Sequence, residues 1–149
     1  MKALKPIQIA WLLPVTLLAH QVEEYFGEFP QWYSDLLNAQ LSIRDFLIIN
    51  GIGLFLITVF ALSYLFNKHN MALVAVGTLV FVNGIVHLLL TIFTFSYSPG
   101  TISGIVLFLP LGTIIYRRIL PQLPENERII AISIGIIALF SVSVIAMNV

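Results

Sequence analysis

Three stretches of the chain, 46–66, 71–95 and 129–147, each run for about twenty residues without an Asp, Glu, Lys or Arg. An uncharged apolar run of that length constrains a fold more than any other feature. At about 1.5 Å rise per residue it matches a hydrocarbon layer roughly 30 Å thick. In lipid only a helix satisfies its own backbone within one segment. Two further stretches, 7–26 and 102–120, have the same length. The second of these ends on Arg117-Arg118, whose long side chains can snorkel to an interface. Charged residues make up only 9% of the chain, against about 25% in soluble domains. The predicted fold is all-α: a single transmembrane domain of five helices. The predicted location is an integral, multi-pass position, in the cytoplasmic (inner) membrane if the source is a prokaryote.

Charge predicts the orientation. In a five-span arrangement Lys2, Lys5, Lys68, Arg117, Arg118 and Arg128 fall on one side, and only Arg44 on the other. The positive-inside tendency then places the N-terminus in the cytoplasm and the C-terminus outside. Lys2 and Lys5 before an apolar run also fit a signal peptide. No A-x-A pattern follows, however, and the run continues through charged residues. The formal net charge of +0 predicts no nucleic-acid partner. The absence of cysteine excludes disulfides, thiolate metal sites and thiol nucleophiles.

Against this apolar background, His20-Gln21-Val22-Glu23-Glu24 is anomalous. A charge at the centre of a membrane helix costs about 2.5–3.5 kcal/mol on insertion scales, and less near the interface. Thr16, His20 and Glu24 are spaced i, i+4, i+8 and share one face; Glu23 flanks it. The bland alternative is that Glu23 and Glu24 are solvated among the headgroups. Asn83, His87 and Thr91 repeat the i, i+4, i+8 spacing on the third span. Counted back from Phe95, His87 lies roughly 12 Å below the outer end; counted from Phe26, His20 lies roughly 9 Å below its own. Both helices travel from inside to outside, so the two histidines are expected at similar depth.

The remaining features surround this patch. Residues 30–40, with Pro30, Trp32, Tyr33, Leu36 and Leu37, read as a short interfacial helix. It is either an anchoring belt or a lid over the polar site. Ser42 or Asp45 is the expected N-cap of the second span. Asn50 lies a turn below the interface and can turn a hydrogen bond inward, while Gly51 and Gly53 are expected at a helix contact. His69, in the turn Asn67-Lys68-His69-Asn70, is expected to be solvated. Tyr97-Ser98-Pro99-Gly100 is a tight turn whose Tyr97 either reaches the patch or joins the aromatic belt. Pro14 is expected to kink the first span. The small pair Ala131 and Gly135 suits packing on the bundle or on a second copy of the chain, making a homo-oligomer a candidate partner state.

With His20, Glu23, Glu24, His87 and the Tyr97–Gly100 turn in view, the chain resembles the HXXEE-motif family of small membrane proteins. That family is marked by H-x-x-E-E, a further histidine and Y-x-P-G, in that order. The resemblance spans the first four segments. It implies a transmembrane protein in which these residues matter; it implies no particular activity.

Three functions fit the residues themselves. The first is an intramembrane enzyme. Imidazole and carboxylate suit a divalent metal, Zn, Fe or Mn, with His20, Glu23, Glu24 and His87 as candidate ligands. His20, Glu23 and Glu24 are also the candidate catalytic groups, supported by Asn83, Asn50 and Tyr97. A metal-free acid–base version needs only a Glu and a His. A site this deep in an apolar bundle suggests a lipid-like substrate arriving from the bilayer. The second is a component moving protons or metal ions, though the inner halves of the spans supply few polar residues for a path. The third is a structural or pH-sensing subunit.

Overall fold

The computed structural model describes residues 4–149; Lys2, used above for orientation, lies outside them. Six helices account for nearly all of the described chain, with no strand among those residues. They are α1 (Pro6–Phe26), α2 (Phe29–Leu37), α3 (Ile43–Ser63), α4 (Asn70–Thr94), α5 (Thr101–Gln122) and α6 (Glu125–Met147). Four of them, α3 to α6, are long and apolar enough to cross a membrane. Helix α1 has the length, at 21 residues, but is not one of the four. Its Gln8, Thr16, His20, Gln21, Glu23 and Glu24 dilute its apolar character, which explains the difference from the five expected spans.

The helix boundaries follow local chemistry. Pro6 sits in the first turn of α1, where no backbone donor is needed. Helix α1 continues through Pro14 without a break. Ser42 caps α3 by accepting from the Asp45 backbone N–H at 3.1 Å, and Asp45 supplies the acidic first turn. Helix α2 is flanked by Glu28 and Asn38, both in the left-handed region, so the chain turns sharply into and out of it.

Helix α4 is the centre of the bundle. It packs on α5 and α6 along most of its length, and small residues permit the approach. A Cβ on Gly84 would lie 3.0 Å from the Gly104 carbonyl oxygen, so these two glycines mark the crossing of α4 and α5. Directly after that crossing, Gly104–Phe108 forms a π turn within α5. Gly135 of α6 faces Ala75 and Thr78 of α4, and Ala131 is fully buried. The small-residue pair of the last span is therefore used inside the bundle. A methyl group placed on Gly51 or Gly53 would have nothing within 4 Å, so the expected helix contact at these residues is not made among the described residues.

The ends of the bundle are tied separately. At one end Asn70 accepts from the Tyr64 hydroxyl at 2.5 Å and donates to Gln122 at 3.2 Å. His69 is exposed there, as expected of a loop histidine. At the other end Tyr33 of α2 donates to the Ser143 carbonyl of α6 at 3.1 Å, and Pro99 packs on Gly27. The side chains between are mostly apolar: Ile9, Leu13, Leu73, Val74, Val80 and Ile115 are fully buried, with Thr78 buried among them.

Candidate metal centre

The end of the bundle that holds Pro99 also holds the polar residues. His20 and Glu24 come from successive turns of α1 and face α4, which presents His87. All three are buried, with side-chain exposures of 3%, 7% and 4% for His20, Glu24 and His87. The two imidazoles meet edge to face, with ring centroids 5.0 Å apart, so the matched depth expected from helix rise is realised. Each Nε2 lies 3.4 Å from the same Glu24 oxygen, Oε1. The three ligand atoms all lie within 4.8 Å of one another.

The far side of each ring is held by a hydroxyl. His20 Nδ1 is 2.8 Å from Ser103 Oγ, and His87 Nδ1 is 3.0 Å from Ser98 Oγ. Ser103 Oγ also donates to the Gly100 carbonyl at 3.3 Å. With its one proton directed there, Ser103 accepts from His20, which is the arrangement of an Nδ1–H tautomer with a lone pair on Nε2. Among the described residues, Nε2 of His20 has no hydrogen-bond partner that meets both distance and angle.

Aromatic and backbone groups close the site. Phe108, in the π turn, lies over His20 with centroids 4.4 Å apart. Phe29, at the head of α2, is 5.8 Å from the His87 ring and 5.9 Å from Phe46. Gly100 has φ +100, and a Cβ there would lie 2.7 Å from His20 Cε1 and 2.9 Å from His87 Cε1. Only glycine both takes this backbone conformation and clears the two rings.

The other predicted site residues are placed differently. Glu23 points away from the cluster to the start of α5. Its Oε1 accepts from the backbone N–H groups of Gly100 at 3.1 Å and Ile102 at 2.9 Å, and its Oε2 from Ser103 N–H at 2.6 Å. Tyr97 donates its hydroxyl to the same carboxylate. Burial, together with the charge and hydrogen bond of Glu23, pushes the Tyr97 hydroxyl up to about 12. Asn50 bonds its own helix, donating to the Phe46 carbonyl at 3.1 Å, while its carbonyl accepts from Gln21 at 2.9 Å. Asn83 Oδ1, one turn from His87, is buried and has no partner.

The residues not foreseen are Ser98, Ser103, Phe29 and Phe108. Ser98 stands at the variable position of Y-x-P-G, and only its neighbours could have pointed to it. Ser103 carries no sequence signal, since a serine early in a helix is ordinarily a cap or a local hydrogen bond.

Fold and site together define a class: an all-α protein with four membrane-length helices and a buried cluster of two histidines and one glutamate. Residues 11–115 match the family model described as "Protein of unknown function with HXXEE motif". The chain belongs to that family, and the matched segment contains His20–Glu24, His87 and Tyr97–Gly100. No curated protein and no solved structure matches it.

Proposed function

We propose that this chain is an intramembrane enzyme built on a divalent metal held by His20, Glu24 and His87. One observation carries the reading. Nε2 of His20 and Nε2 of His87 both lie 3.4 Å from the same Glu24 oxygen in a buried site. With both rings protonated on Nδ1, three acceptor atoms would converge there, an arrangement that a cation between them relieves. Ligand bonds of about 2.0–2.1 Å in tetrahedral geometry separate neighbouring ligand atoms by about 3.3 Å. Both Nε2-to-Oε1 separations fit that value. A hydrogen-bond acceptor on the opposite ring nitrogen is the usual means of aiming such a ligand, and the Ser103 and Ser98 hydroxyls stand in that place.

Two imidazoles and one carboxylate are the donor set of Zn, Fe or Mn sites that keep a position open for chemistry. A metal there supplies Lewis acidity, polarising a substrate oxygen or acidifying water. The chain itself excludes bulk water, through Phe29, Phe108 and the Gly100 backbone, and orients the two rings through Ser98 and Ser103. The core below the cluster, from Val80 to Ile9, is mostly apolar, with Thr78 and Thr16 its buried polar side chains, which favours a site over a conduit.

The proposed substrate is lipid-like. A groove of about 420 Å³ runs between α1 and α3, lined by Leu18, Val22, Tyr25, Phe46 and Leu47 with Gln21 and Asn50. It opens on an exposed apolar surface, and its Phe46 touches Phe29, which touches His87. Helix α1 is proposed as a fifth span, because Trp11, Val15, Leu18 and Val22 present an exposed apolar face while His20 and Glu24 turn inward. With Lys5, Lys68, Arg117, Arg118 and Arg128 at one end, the proposed N-terminus is cytoplasmic and the C-terminus outside.

Metal analysis of protein purified without a histidine tag tests the reading. One divalent metal per chain is expected, and it should be lost in Glu24→Gln and His87→Ala. A wild-type chain that holds no metal, even after reconstitution, refutes it. A proton would then occupy the same position, and acid–base chemistry between His20 and Glu24 would take its place.

A further inference from the structure

The two adjacent glutamates of the motif do different work. We infer that Glu23 is a positioning residue: it straps the turn 97–103 to α1, and through Ser103 it selects the histidine tautomer that leaves His20 Nε2 free. The inference rests on the metal reading only for its affinity consequence; the tautomer consequence stands by itself.

The geometry is direct. One carboxylate gathers three backbone N–H groups, of Gly100, Ile102 and Ser103, and the Tyr97 hydroxyl. Those N–H groups belong to the first turn of α5, which has no partners of its own for them. The same seven-residue turn delivers every group that touches the far side of the rings. Ser98 Oγ reaches His87, Ser103 Oγ reaches His20, and the Gly100 backbone lies against both. The Gly100 carbonyl lies 3.3 Å from Ser103 Oγ, and with the Ser103 proton directed to it Ser103 accepts from His20. Fixing the turn therefore fixes the ring.

The turn has a second anchor on α4. Ser98 N–H donates to Thr91 Oγ1 at 3.0 Å, and the Thr101 hydroxyl donates to the His87 carbonyl at 3.1 Å. That anchor serves His87. The α1 side has Glu23 and the packing of Pro99 on Gly27. Loss of the Glu23 acceptors is therefore expected to loosen Ser103 from His20 before it loosens Ser98 from His87.

A glutamine at this position cannot substitute. Its amide nitrogen would face a backbone N–H, either that of Ser103 or those of Gly100 and Ile102, and one side of the strap would open. With Ser103 displaced, His20 is free to move its proton to Nε2 and donate to Glu24.

The test uses the full chain in detergent with isotope-labelled histidine, reading the ring nitrogens by NMR in the wild type, Glu23→Gln, Ser103→Ala and the double variant. His20 is assigned by comparison with His69→Gln and His87→Gln. In the wild type His20 is expected to carry its proton on Nδ1. Both single variants should shift it toward Nε2–H, and the double variant should match the singles. Zinc affinity should fall about 10–100-fold in each single, with the double within about twofold of the weaker-binding single. Tyr97→Phe, which removes one of the four donors, should give a smaller shift in the same direction and covers a failure of Glu23→Gln to fold. The inference is overturned if Ser103→Ala moves the His20 proton while Glu23→Gln and Tyr97→Phe do not, or if the affinity losses add. A wild type that binds no zinc would refute the metal reading alone; the tautomer shifts, read on the same samples, still decide the role of Glu23.

Discussion

Gly100→Ala is the most informative single substitution in the site. The residue has φ +100, where an L side chain costs about 1–2 kcal/mol. The added methyl would lie 2.7 Å from His20 Cε1, 2.9 Å from His87 Cε1 and 3.0 Å from His87 Nδ1. Restoring ordinary contact requires the His20 ring to retreat by about 0.7 Å in a close-packed environment. Overpacking of that kind costs about 1–3 kcal/mol, so the total is about 2–5 kcal/mol. The cost can be relieved in two ways, by lifting the turn off α1 or by pushing the rings apart. Either displaces ligand atoms by more than the roughly 0.5 Å that a preorganised site tolerates. Zinc affinity, measured by competition with a chromophoric chelator, should fall at least about 30-fold, the equivalent of 2 kcal/mol. Thermal unfolding in detergent should shift downward alongside it. A Gly100→Ala protein that keeps both wild-type melting and wild-type zinc affinity would refute the placement of this backbone against the two rings.

Three further outcomes follow from the same packing and hydrogen bonds. Gly51→Ala, with nothing within 4 Å, should leave zinc binding unchanged and stabilise α3 by about 0.5–1 kcal/mol through helix propensity, visible as a small rise in melting temperature. Gly135→Leu puts a side chain where a Cβ alone would lie 2.4 Å from the Ala75 carbonyl oxygen; it should detach α6 from α4, lowering melting temperature and exposing the α6 backbone in hydrogen exchange. Tyr97 has its hydroxyl pushed up to about 12, above its ordinary 10.0, so the stability it contributes is fully present below pH 10 and is lost as pH rises through about 12. Melting temperature followed over that window should fall more steeply in the wild type than in Tyr97→Phe.

Much of the fold is legible because lipid imposes simple rules. Runs 46–66, 71–95 and 129–147 lack charge, and α3, α4 and α6 follow them closely. The juxtaposition of His20 and His87 is legible for a similar reason. Two helices running in the same direction place equal rises at equal depth, and the i, i+4 spacing of His20 and Glu24 fixes a shared face. What escaped depends on contacts between distant segments. The π turn at Gly104–Phe108 adjoins a backbone crossing with Gly84, a pairing that no local pattern announces. Gly51 and Gly53 read as a contact because small residues often make one, yet their neighbours lie elsewhere. Asn50 looked inward by depth, but its amide found a carbonyl on its own helix first. The membrane count differs at α1 for a physical reason: the residues that build the site are the same ones that lower its hydropathy.

The spacing within H-x-x-E-E sends its two adjacent carboxylates to different neighbours. Successive residues on a helix diverge by about 100°, so Glu23 and Glu24 cannot serve the same neighbour. Glu24, one turn from His20, stays on the His20 face and meets His87. Glu23 is rotated toward the start of α5 and meets four donors there. Every residue of Y-x-P-G then has a counterpart on the opposite side. Tyr97 reaches Glu23, Ser98 holds His87, Pro99 packs on Gly27, and Gly100 donates to Glu23 while clearing both imidazoles. The two motifs are therefore halves of one assembly: one contributes His20 and Glu24 to the buried cluster with His87, the other holds the two rings, and Glu23 joins them. It follows that exchanging the two positions functionally, by keeping one carboxylate and losing the other, should never be neutral. On the proposed metal reading, Glu24→Gln removes a ligand and leaves the strap, while Glu23→Gln leaves the ligands and loses their aim.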